Sequence, residues 1–407
     1  MNRLIRLGVG VLAGTAGLLA AAPARAQIMC NDTSLQNPII VTGSTAFEAT
    51  LKALAVKLAV ETPIPSTIIY AQASSVQGSC NGVASVVNDT DLGGTAGRYY
   101  TLVNGTITNN ACNFVAGQKP HVGISDVFYE SCTNVPATKP ATIMDVPGPA
   151  QAMLFIVPKA NTSTQYLTYK EAQDLYGCGV STAQPFAGFS DPLGVFCRDM
   201  NSGTQITVAR NIGVPESVLI TPKCVNGGGT SGVGNMVKAY PMSSQAIGFV
   251  AADYYDTGTG RTDFNSLAFQ ALGQTKAYYA DSGADVADRK NVRDGHYTIW
   301  GYEHFISKTT NGNLSTQAAD LIGYLNGTKT STNFDYVAIE GGAGVIPQCA
   351  MKVQRASDGG LMTPYTPADP CKCAFEAAIT KTTPAGCAAC STASPCATGT
   401  CRHGFCE

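Results

Sequence analysis

Blocks of apolar residues alternate with polar turns in an order that predicts strands followed by helices. The apolar run 39–41 is followed by a turn that begins near Gly43. Leu51, Leu54 and Leu58 then recur at the spacing of one helix face. The segment "STIIYAQ" predicts the next strand, which completes a strand–helix–strand unit of the kind that builds parallel sheets.

The same alternation continues to about residue 350. The segments "AMLFIVP", "QAIGFVAADYY" and "HYTIWGYEHFIS" predict strands. A helix is predicted in "LTYKEAQDLYGCG", with Thr168 as N-cap, Glu171 completing a capping box and Gly177 at its end. "STQAADLIGYLNG" predicts an amphipathic helix that ends at Gly327. This order of elements indicates an α/β architecture.

A polar segment interrupts this order between residues 90 and 117. It is rich in Gly, Thr and Asn, and "RYYTLVNGTIT" within it resembles a hairpin whose turn is Asn104 and Gly105. We interpret the segment as an insertion into the α/β framework.

Residues 1–26 have the pattern of a cleaved secretory signal peptide. Arg3 and Arg6 precede a short apolar stretch, and "ARA" ending at Ala26 fits cleavage before Gln27. A membrane anchor is the alternative, but the stretch is short and rich in Gly and Ala for a lasting span. We therefore expect a periplasmic or secreted protein without a membrane span in the mature chain.

Charged residues are sparse in this chain. They make up 13% of it, with a formal net charge of -2, and loss of the signal peptide removes three arginines and lowers that charge to -5. Nucleic acids and anionic membranes are bound by basic surfaces, which this composition does not favour. We therefore expect neither partner, and a binding site for an anion would have to be local.

The 15 cysteines of an exported chain predict disulfides, and their odd number leaves at least one thiol free or paired with another chain. Seven of them crowd residues 365–407, a segment with almost no aliphatic residues. We interpret it as a separate module held by crosslinks. A disordered tail, or a zinc knuckle using Cys387 and Cys390, is the alternative.

The stretch "RDMNSGT" places Arg198 four residues before Ser202, Gly203 and Thr204, at the start of a predicted helix. The first N–H groups of a helix have no partner within the helix and carry partial positive charge. Neighbouring hydroxyls, a glycine that admits a close approach and a guanidinium would together form a cradle for an oxyanion. Helix capping alone is the alternative for the hydroxyl residues.

Two more turns repeat this chemistry, and a third places a carboxylate at a predicted strand end. "TGSTAF" and "QGSCNG" each combine glycine with hydroxyl residues, and "HVGISDVF" ends a strand at Asp126. The ends of parallel strands meet at one edge of a sheet, so these turns could face a single ligand. The alternatives are a plain turn crosslinked by Cys80 and a surface position for Asp126.

A carboxylate in an anion site is consistent with a ligand that still carries a proton. Phosphate keeps one at neutral pH and sulfate does not, so ionised Asp126 accepts a hydrogen bond from phosphate and only repels sulfate. A site built around a ligand's donor can reject the analogue without that donor by about 10⁴–10⁵-fold.

In this order, "GSTAF", "GSCNG", "GISD" and "RDMNSGT" resemble the phosphate-binding subunit of bacterial phosphate ABC transporters, a type II periplasmic solute-binding protein family. "LTYKEAQDLYGCG" and "GTSGVGNMVKAYPMSSQAIGFVAADYY" are similar to flanking segments of that family, and the resemblance covers roughly residues 38–345. It implies an α/β fold of two lobes, joined by crossing hinge strands, that closes on phosphate. The disulfide-rich C-terminal module is an addition to the family pattern.

The resemblance implies phosphate ligands at four turns. They are Ser44, Thr45 and Ala46, then Ser79, then Asp126, and finally Arg198, Ser202, Gly203 and Thr204. The family usually runs almost directly from its second motif to its aspartate, whereas the insertion separates the two here. Ser74 or Ser75 is therefore an alternative to Ser79.

The resemblance also implies the domain organisation. Residues 27–141 with 291–364 would form the first lobe, residues 142–290 the second lobe, and residues 365–407 the cysteine-rich tail.

The function implied is capture of inorganic phosphate outside the cytoplasm by a monomer without a cofactor, in partnership with ABC permease subunits. Arsenate would fit the same site. The alternative is a secreted structural or adhesion protein that reuses the fold. We do not expect an enzyme, because the four histidines have no metal-binding spacing and no G-x-S-x-G motif occurs.

Overall fold

The computed structural model describes residues 28–181, 185–215, 223–391 and 394–407. The predicted signal peptide and its cleavage point before Gln27 lie outside the described residues. Within these ranges, no helix combines the length and the hydrophobicity that crossing a membrane requires.

The α-helices are α1 Glu48–Leu58, α2 Ser79–Val87, α3 Tyr169–Gly177, α4 Gly203–Asn211, α5 Thr230–Ala239, α6 Ala252–Asp256, α7 Gly260–Asp263, α8 Lys290–Arg293, α9 Thr316–Asn326, α10 Tyr336–Ala343 and α11 Lys372–Thr380. Short 3-10 helices cover Tyr129–Ser131, Pro192–Gly194, Ser243–Gln245 and Gln348–Ala350.

The strands are β1 Ile28–Met29, β2 Ile39–Gly43, β3 Ile68–Ala71, β4 Ala96–Val103, β5 Thr106–Asn113, β6 Val122–Ser125, β7 Ile143–Pro158, β8 Tyr166–Thr168, β9 Phe196–Cys197, β10 Val225–Asn226, β11 Gly248–Ala251, β12 Phe264–Ser266, β13 Ala268–Gln270, β14 Trp300–Thr310, β15 Asn313–Leu314, β16 Val353–Gln354, β17 Thr363–Pro364, β18 Cys401–Arg402 and β19 Phe405–Cys406.

An 11-stranded sheet has the order β1-β5-β4-β3-β2-β6-β14-β7-β11, with β12 paired to β7 and β15 to β14. Strand β2 is parallel to β3 and β6, and the long strands β7 and β14 are antiparallel to each other. Strands from residues 28–125 lie on one side of the β7–β14 pair, and strands from residues 248–266 lie on the other. This pair therefore connects two parts of the molecule, as predicted for crossing strands.

Local sequence signals form the elements they predict. Thr168 caps α3 and makes the reciprocal capping box with Glu171. Helix α9 ends at Gly327, which has a φ of 76° in the left-handed region that favours glycine. Asn104 and Gly105 both have positive φ and connect β4 to β5, as in a two-residue hairpin turn.

The predicted insertion is an integral part of the central sheet. Strand β4 pairs with β3, placing Tyr99 opposite Ile69, and β5 continues the sheet outward to β1. The Cys30–Cys112 disulfide joins β5 to the segment after β1. The second and third motifs are therefore separated in the chain by two additional strands of the central sheet, β4 and β5.

Two large apolar clusters lie on either side of the crossing strands. One packs Leu51 of α1 and Leu321 of α9 against Ile39 of β2. The other surrounds β7 and β11 and includes Phe155 and Phe249. Each part of the sheet thus has its own core.

Seven disulfides join the cysteines of the described residues, with the single exception of exposed Cys178. The pairs are Cys30–Cys112, Cys80–Cys132, Cys197–Cys224, Cys349–Cys371, Cys373–Cys387, Cys390–Cys401 and Cys396–Cys406. The zinc-knuckle alternative for the tail is wrong, because its cysteines are disulfide-bonded.

The cysteine-rich tail is folded and packs on the body of the protein. Its helix α11 buries Phe375 and Ile379 in the same apolar cluster as β7 and β11. Arg293 of the body forms an ion pair with Glu376 at 2.5 Å. Crosslinks therefore act together with an apolar interface, which the composition of the tail did not predict.

Candidate functional site

The first and third predicted turns lie side by side at one edge of the sheet. Strands β2 and β6 are parallel, with Thr42 opposite Gly123 and Gly43 opposite Ile124. Their ends therefore carry the Ser44–Ala46 turn and Asp126 to the same place.

Three glycines bring α2 against these strand ends. A Cβ atom on Gly82 would lie 2.3 Å from Gly43 Cα, and one on Gly123 would lie 2.5 Å from Gly82 O. Only glycines allow so close an approach. As a result Ser79, the first residue of α2, accepts a hydrogen bond from Asp126 N at 3.2 Å.

The fourth predicted turn meets this edge from the other side of the crossing strands. Gly203 N donates to Ser79 Oγ at 3.1 Å across a sequence separation of 124 residues. Thr204 Oγ1 donates to Asp126 Oδ2 at 3.3 Å. A Cβ on Gly203 would lie 2.5 Å from Ser79 Oγ, so the start of α4 is in direct contact with the start of α2.

Arg198 is buried beside this contact, with 3% of its surface exposed. Its Nε donates to Gly228 O at 2.7 Å, and its Nη1 donates to the hydroxyls of Thr204 and Thr230. All of these partners are uncharged. Burial lowers the pKa of Arg198, although the nearby carboxylates of Asp199, Asp126 and Asp253 counteract this effect.

The remaining predicted residues take different positions around this centre. Ser44 Oγ accepts from Ala46 N at 3.0 Å, and Ser44 opposes the rise in the pKa of Asp126. Thr45 Oγ1 is buried without a hydrogen-bond partner among the described residues. Ser202 Oγ accepts from Gln205 N at 3.4 Å and caps α4. The capping role that the sequence allowed for Ser202 is therefore present.

The alternatives to Ser79 do not lie at this centre. Ser74 and Ser75 are both exposed, whereas 1% of Ser79 is exposed. Asp126 is likewise buried, so the surface-turn alternative for Asp126 is wrong.

A second carboxylic acid, Glu303 of β14, faces Asp126 and was not predicted. Neither is exposed by more than 1%, and Asp126 Oδ1 and both Glu303 oxygens receive no N–H or O–H hydrogen bond from the described residues. Each carboxyl group shifts the pKa of the other, so the two groups lie within range of electrostatic interaction. An ionised carboxylate only accepts hydrogen bonds, so two carboxyl groups can share a hydrogen bond only when one of them is protonated.

Glu303 is the better candidate to carry that proton. Burial, followed by the charges of Asp126 and Asp253, raises the pKa of Glu303 well above its usual range. Burial also raises the pKa of Asp126, but Ser44, Arg198 and Thr204 oppose that rise. These directions favour the protonated form at Glu303 over the protonated form at Asp126.

Asp253 and Gln151 extend this polar group towards the opposite side of the site. Gln151 Nε2, on β7, donates to Ala46 O and to Asp253 Oδ1, both at 3.1 Å. Burial raises the pKa of Asp253 well above its usual range. The crossing strands thus contribute Gln151 and Glu303, which support the residues at the strand ends.

A cleft of about 510 Å³ opens beside this group. Thr45, Thr230 and Asp253 lie on its wall together with Arg98 and Lys52. Both of these cations form ion pairs with Glu48, at 2.7 and 3.2 Å. Thr230, which bonds Arg198, and Asp253, which bonds Gln151, connect the wall of the cleft to the buried group.

Some of the unpredicted residues had a visible sequence signal. Asp253 closely follows the end of a strand, as Asp126 does, and Thr230 follows three glycines at a helix start, as Thr204 follows Gly203. Glu303 is a charge within an apolar strand, which is costly to bury without a partner. Gln151 had no distinguishing signal.

The two histidines of the predicted strand 296–307 contact neighbouring side chains. Buried His304 is bonded to Asp145 through Nδ1 at 2.7 Å, and exposed His296 stacks on Tyr278 at 4.8 Å.

No family model matches this chain, and no curated protein matches it. Solved structures do match. One is a candidate phosphate ABC transporter substrate-binding protein from Clostridium perfringens with bound phosphate, at 15% identity and a TM-score of 0.51, covering 76% of this chain and 99% of that one. Another is an ABC-type phosphate transport receptor from Vibrio cholerae, at 15% identity and a TM-score of 0.46, covering 76% of this chain and 99% of that one.

The likeness to the Clostridium perfringens structure concerns the fold. It spans nearly the whole of that protein and agrees with the crossing strands β7 and β14. The chain therefore has the α/β fold of periplasmic solute-binding proteins, with an added disulfide-rich C-terminal region. The predicted resemblance is confirmed at this level.

Proposed function

We propose that this protein captures inorganic phosphate between two lobes outside the cytoplasm and delivers it to an ABC-type importer. The observation that carries the proposal is Arg198, a buried cation whose hydrogen bonds go to uncharged groups. A buried charge is costly unless an opposite charge accompanies it. Asp199, Asp126 and Asp253 are nearby but receive no hydrogen bond from Arg198, so an anionic ligand would supply a directly bonded opposite charge.

Several helices add to the attraction for an anion. Helices α1, α2 and α5 begin near the cleft without a side-chain cap. Their N-termini carry partial positive charge and N–H donors. Together with Arg198 they provide the donors that an oxyanion requires.

Asp126 provides selectivity among oxyanions. An ionised Asp126 accepts a hydrogen bond from the proton that phosphate retains at neutral pH. Sulfate has no such proton and would face only repulsion. Arsenate, which shares this chemistry with phosphate, is expected to bind as well.

Lobe closure would couple binding to transport. In this proposal residues 27–141 and 291–364 form one lobe, residues 142–290 form the other, and residues 365–407 form the tail. Ser79 and Asp126 then belong to the first lobe, and Gly203 and Thr204 to the second. A ligand that contacts both lobes favours the closed state. The Ser79–Gly203 contact is of the kind that this closed state would contain.

The direct test is isothermal titration of the mature, oxidised protein with phosphate and then with sulfate. We expect micromolar or tighter binding of phosphate and no detectable binding of sulfate. In Asp126→Asn, which removes the acceptor charge, the ratio of the two affinities should fall at least about tenfold. If the folded, ligand-free wild type gives no heat with either anion, the protein uses this fold as a secreted scaffold instead.

Glu303 makes phosphate binding dependent on pH. While protonated, Glu303 donates to Asp126. As the pH rises through its raised pKa, Glu303 ionises and adds a second negative charge beside the ligand. Phosphate affinity should therefore decline on the alkaline side. In Glu303→Gln the amide keeps the donor at every pH, so we expect the affinity of wild type at low pH and a loss of this decline.

Calorimetric titration with phosphate, repeated over a range of pH, measures the alkaline decline in affinity for wild type and for Glu303→Gln. Because the ionisation of phosphate itself affects both proteins equally, the difference between their declines reports Glu303. Glu61→Gln is a matched control, because Glu61 is a buried acid bonded to Ser331 and Asn333. Equal alkaline declines in wild type and Glu303→Gln would rule out the proton-sharing arrangement.

A further inference from the structure

A second cavity, of about 660 Å³, lies where the cysteine-rich tail meets a crossing strand. Its lining includes residues 146–149 of β7, together with residues 367–369, Arg402 and His403 from the tail. None of its lining residues is shared with the cleft beside Arg198. It is therefore a separate site.

Glu340 of α10 belongs to the lining of this cavity and has no partner. It is 1% exposed, and neither carboxylate oxygen receives a hydrogen bond from the described residues. Burial, with a smaller contribution from the charge of Asp335, raises the pKa of Glu340 well above its usual range. Burial without a partner thus favours the neutral form of Glu340, and a cation bound beside it would favour the carboxylate.

The cations in the lining are already paired with other acids. Arg402 forms an ion pair with Asp369 at 2.8 Å, and His403 with Asp335 at 2.7 Å. The pKa of His403 is raised by its hydrogen bond to Asp335, which favours the charged form. Each of these ion pairs has a net charge close to zero. An ionised Glu340 would therefore give the cavity a net negative charge.

Donors in the lining are also engaged. Gln348 Nε2 donates to Pro147 O at 2.9 Å and to Gly148 O at 2.8 Å, and the Tyr336 hydroxyl donates to Cys349 Sγ at 3.3 Å. A ligand that supplies donors fits this arrangement better than a ligand that needs them.

Aromatic side chains give the cavity a surface that suits an alkyl cation. Tyr336 and His403 meet edge to face, with ring centroids 5.5 Å apart, and Tyr365 lies on the same lining. Tyrosine rings attract ammonium groups and contact alkyl chains.

We propose that this cavity binds a small organic ammonium ion, a primary amine with a short alkyl chain, through Glu340. The ammonium group donates hydrogen bonds to the Glu340 carboxylate, and the alkyl chain packs against Tyr336 and Tyr365. Formation of this ion pair requires the Glu340 carboxylate, so a proton held by Glu340 before the amine binds is released to the buffer. Binding therefore releases up to one proton for each amine bound.

The test is calorimetric titration of the full oxidised protein with n-butylamine, repeated at neutral pH in PIPES, HEPES and TES buffers. We expect saturable binding whose heat changes with the ionisation enthalpy of the buffer, which reports proton release. In Glu340→Gln the affinity should fall at least about tenfold and the buffer dependence should disappear. Neutral n-butanol should not compete.

Three outcomes would overturn the proposal: no binding of n-butylamine at millimolar concentration, binding without proton release in wild type, or binding that Glu340→Gln leaves unchanged. The buffer dependence is measured on wild type, so it decides the matter even if the variant does not fold. Arg198→Ala should retain amine binding, which separates this site from the proposed phosphate site.

Discussion

Replacing Arg198 by alanine is expected to lower phosphate affinity by about two to four orders of magnitude. The guanidinium supplies the positive charge of a buried site and is held in place by Gly228 O and the hydroxyls of Thr204 and Thr230. Loss of two charge-assisted hydrogen bonds to the ligand would cost about 3–6 kcal/mol of binding free energy. Calorimetric titration with phosphate, on protein whose fold is verified by circular dichroism, measures this loss.

Arg198→Lys separates charge from geometry. Lysine keeps the positive charge but lacks the planar guanidinium, which can donate to Gly228 O and to an oxyanion at the same time. We therefore expect an affinity between those of wild type and Arg198→Ala.

Arg293→Ala is the matched control for removal of a buried arginine. Arg293 is 1% exposed and pairs with Glu376 of the tail. Its loss should lower stability and leave the phosphate affinity of the folded protein unchanged. Wild-type affinity in Arg198→Ala would show that the anion site lies elsewhere.

Replacing Gly82 by alanine is expected to destabilise the protein by about 1–3 kcal/mol, although alanine is the better helix former. The added Cβ would lie 2.3 Å from Gly43 Cα and 2.8 Å from Gly43 N, both of them backbone atoms that cannot rotate away. Helix α2 would have to move off β2 and would carry Ser79 with it. The variant should therefore bind phosphate more weakly as well.

Gly342→Ala is a control in which only helix propensity changes. Gly342 is exposed in α10, and the nearest atom to its added Cβ is the mobile Lys381 Nζ at 3.4 Å. This variant should be up to about 1 kcal/mol more stable. Urea unfolding with disulfides intact measures both variants. Stabilisation by Gly82→Ala would contradict the glycine contact between α2 and β2.

The sequence by itself determined the local elements of this protein. Apolar periodicity predicted β2, α1 and the buried part of β7, because burial of one face repeats with the geometry of each element. Capping signals predicted the start and end of α3 and the end of α9, because a helix end must satisfy its own backbone groups within a few residues. The four motifs and their order could also be identified from the sequence, because each motif is a short run of neighbouring residues.

Only the tertiary structure decided which distant groups meet. The partnership of Asp126 with Glu303 depends on β14 lying beside β6, and strand order is not encoded in periodicity. The close approach of Gly82 to Gly43 and the position of Glu340 under the tail likewise depend on packing between segments far apart in the chain. The cysteine count predicted at least one thiol that is free or paired with another chain, but distance between folded segments selected Cys178. Periodicity and capping act over a few residues, whereas the chemistry of a buried site depends on neighbours that only the folded chain brings into contact.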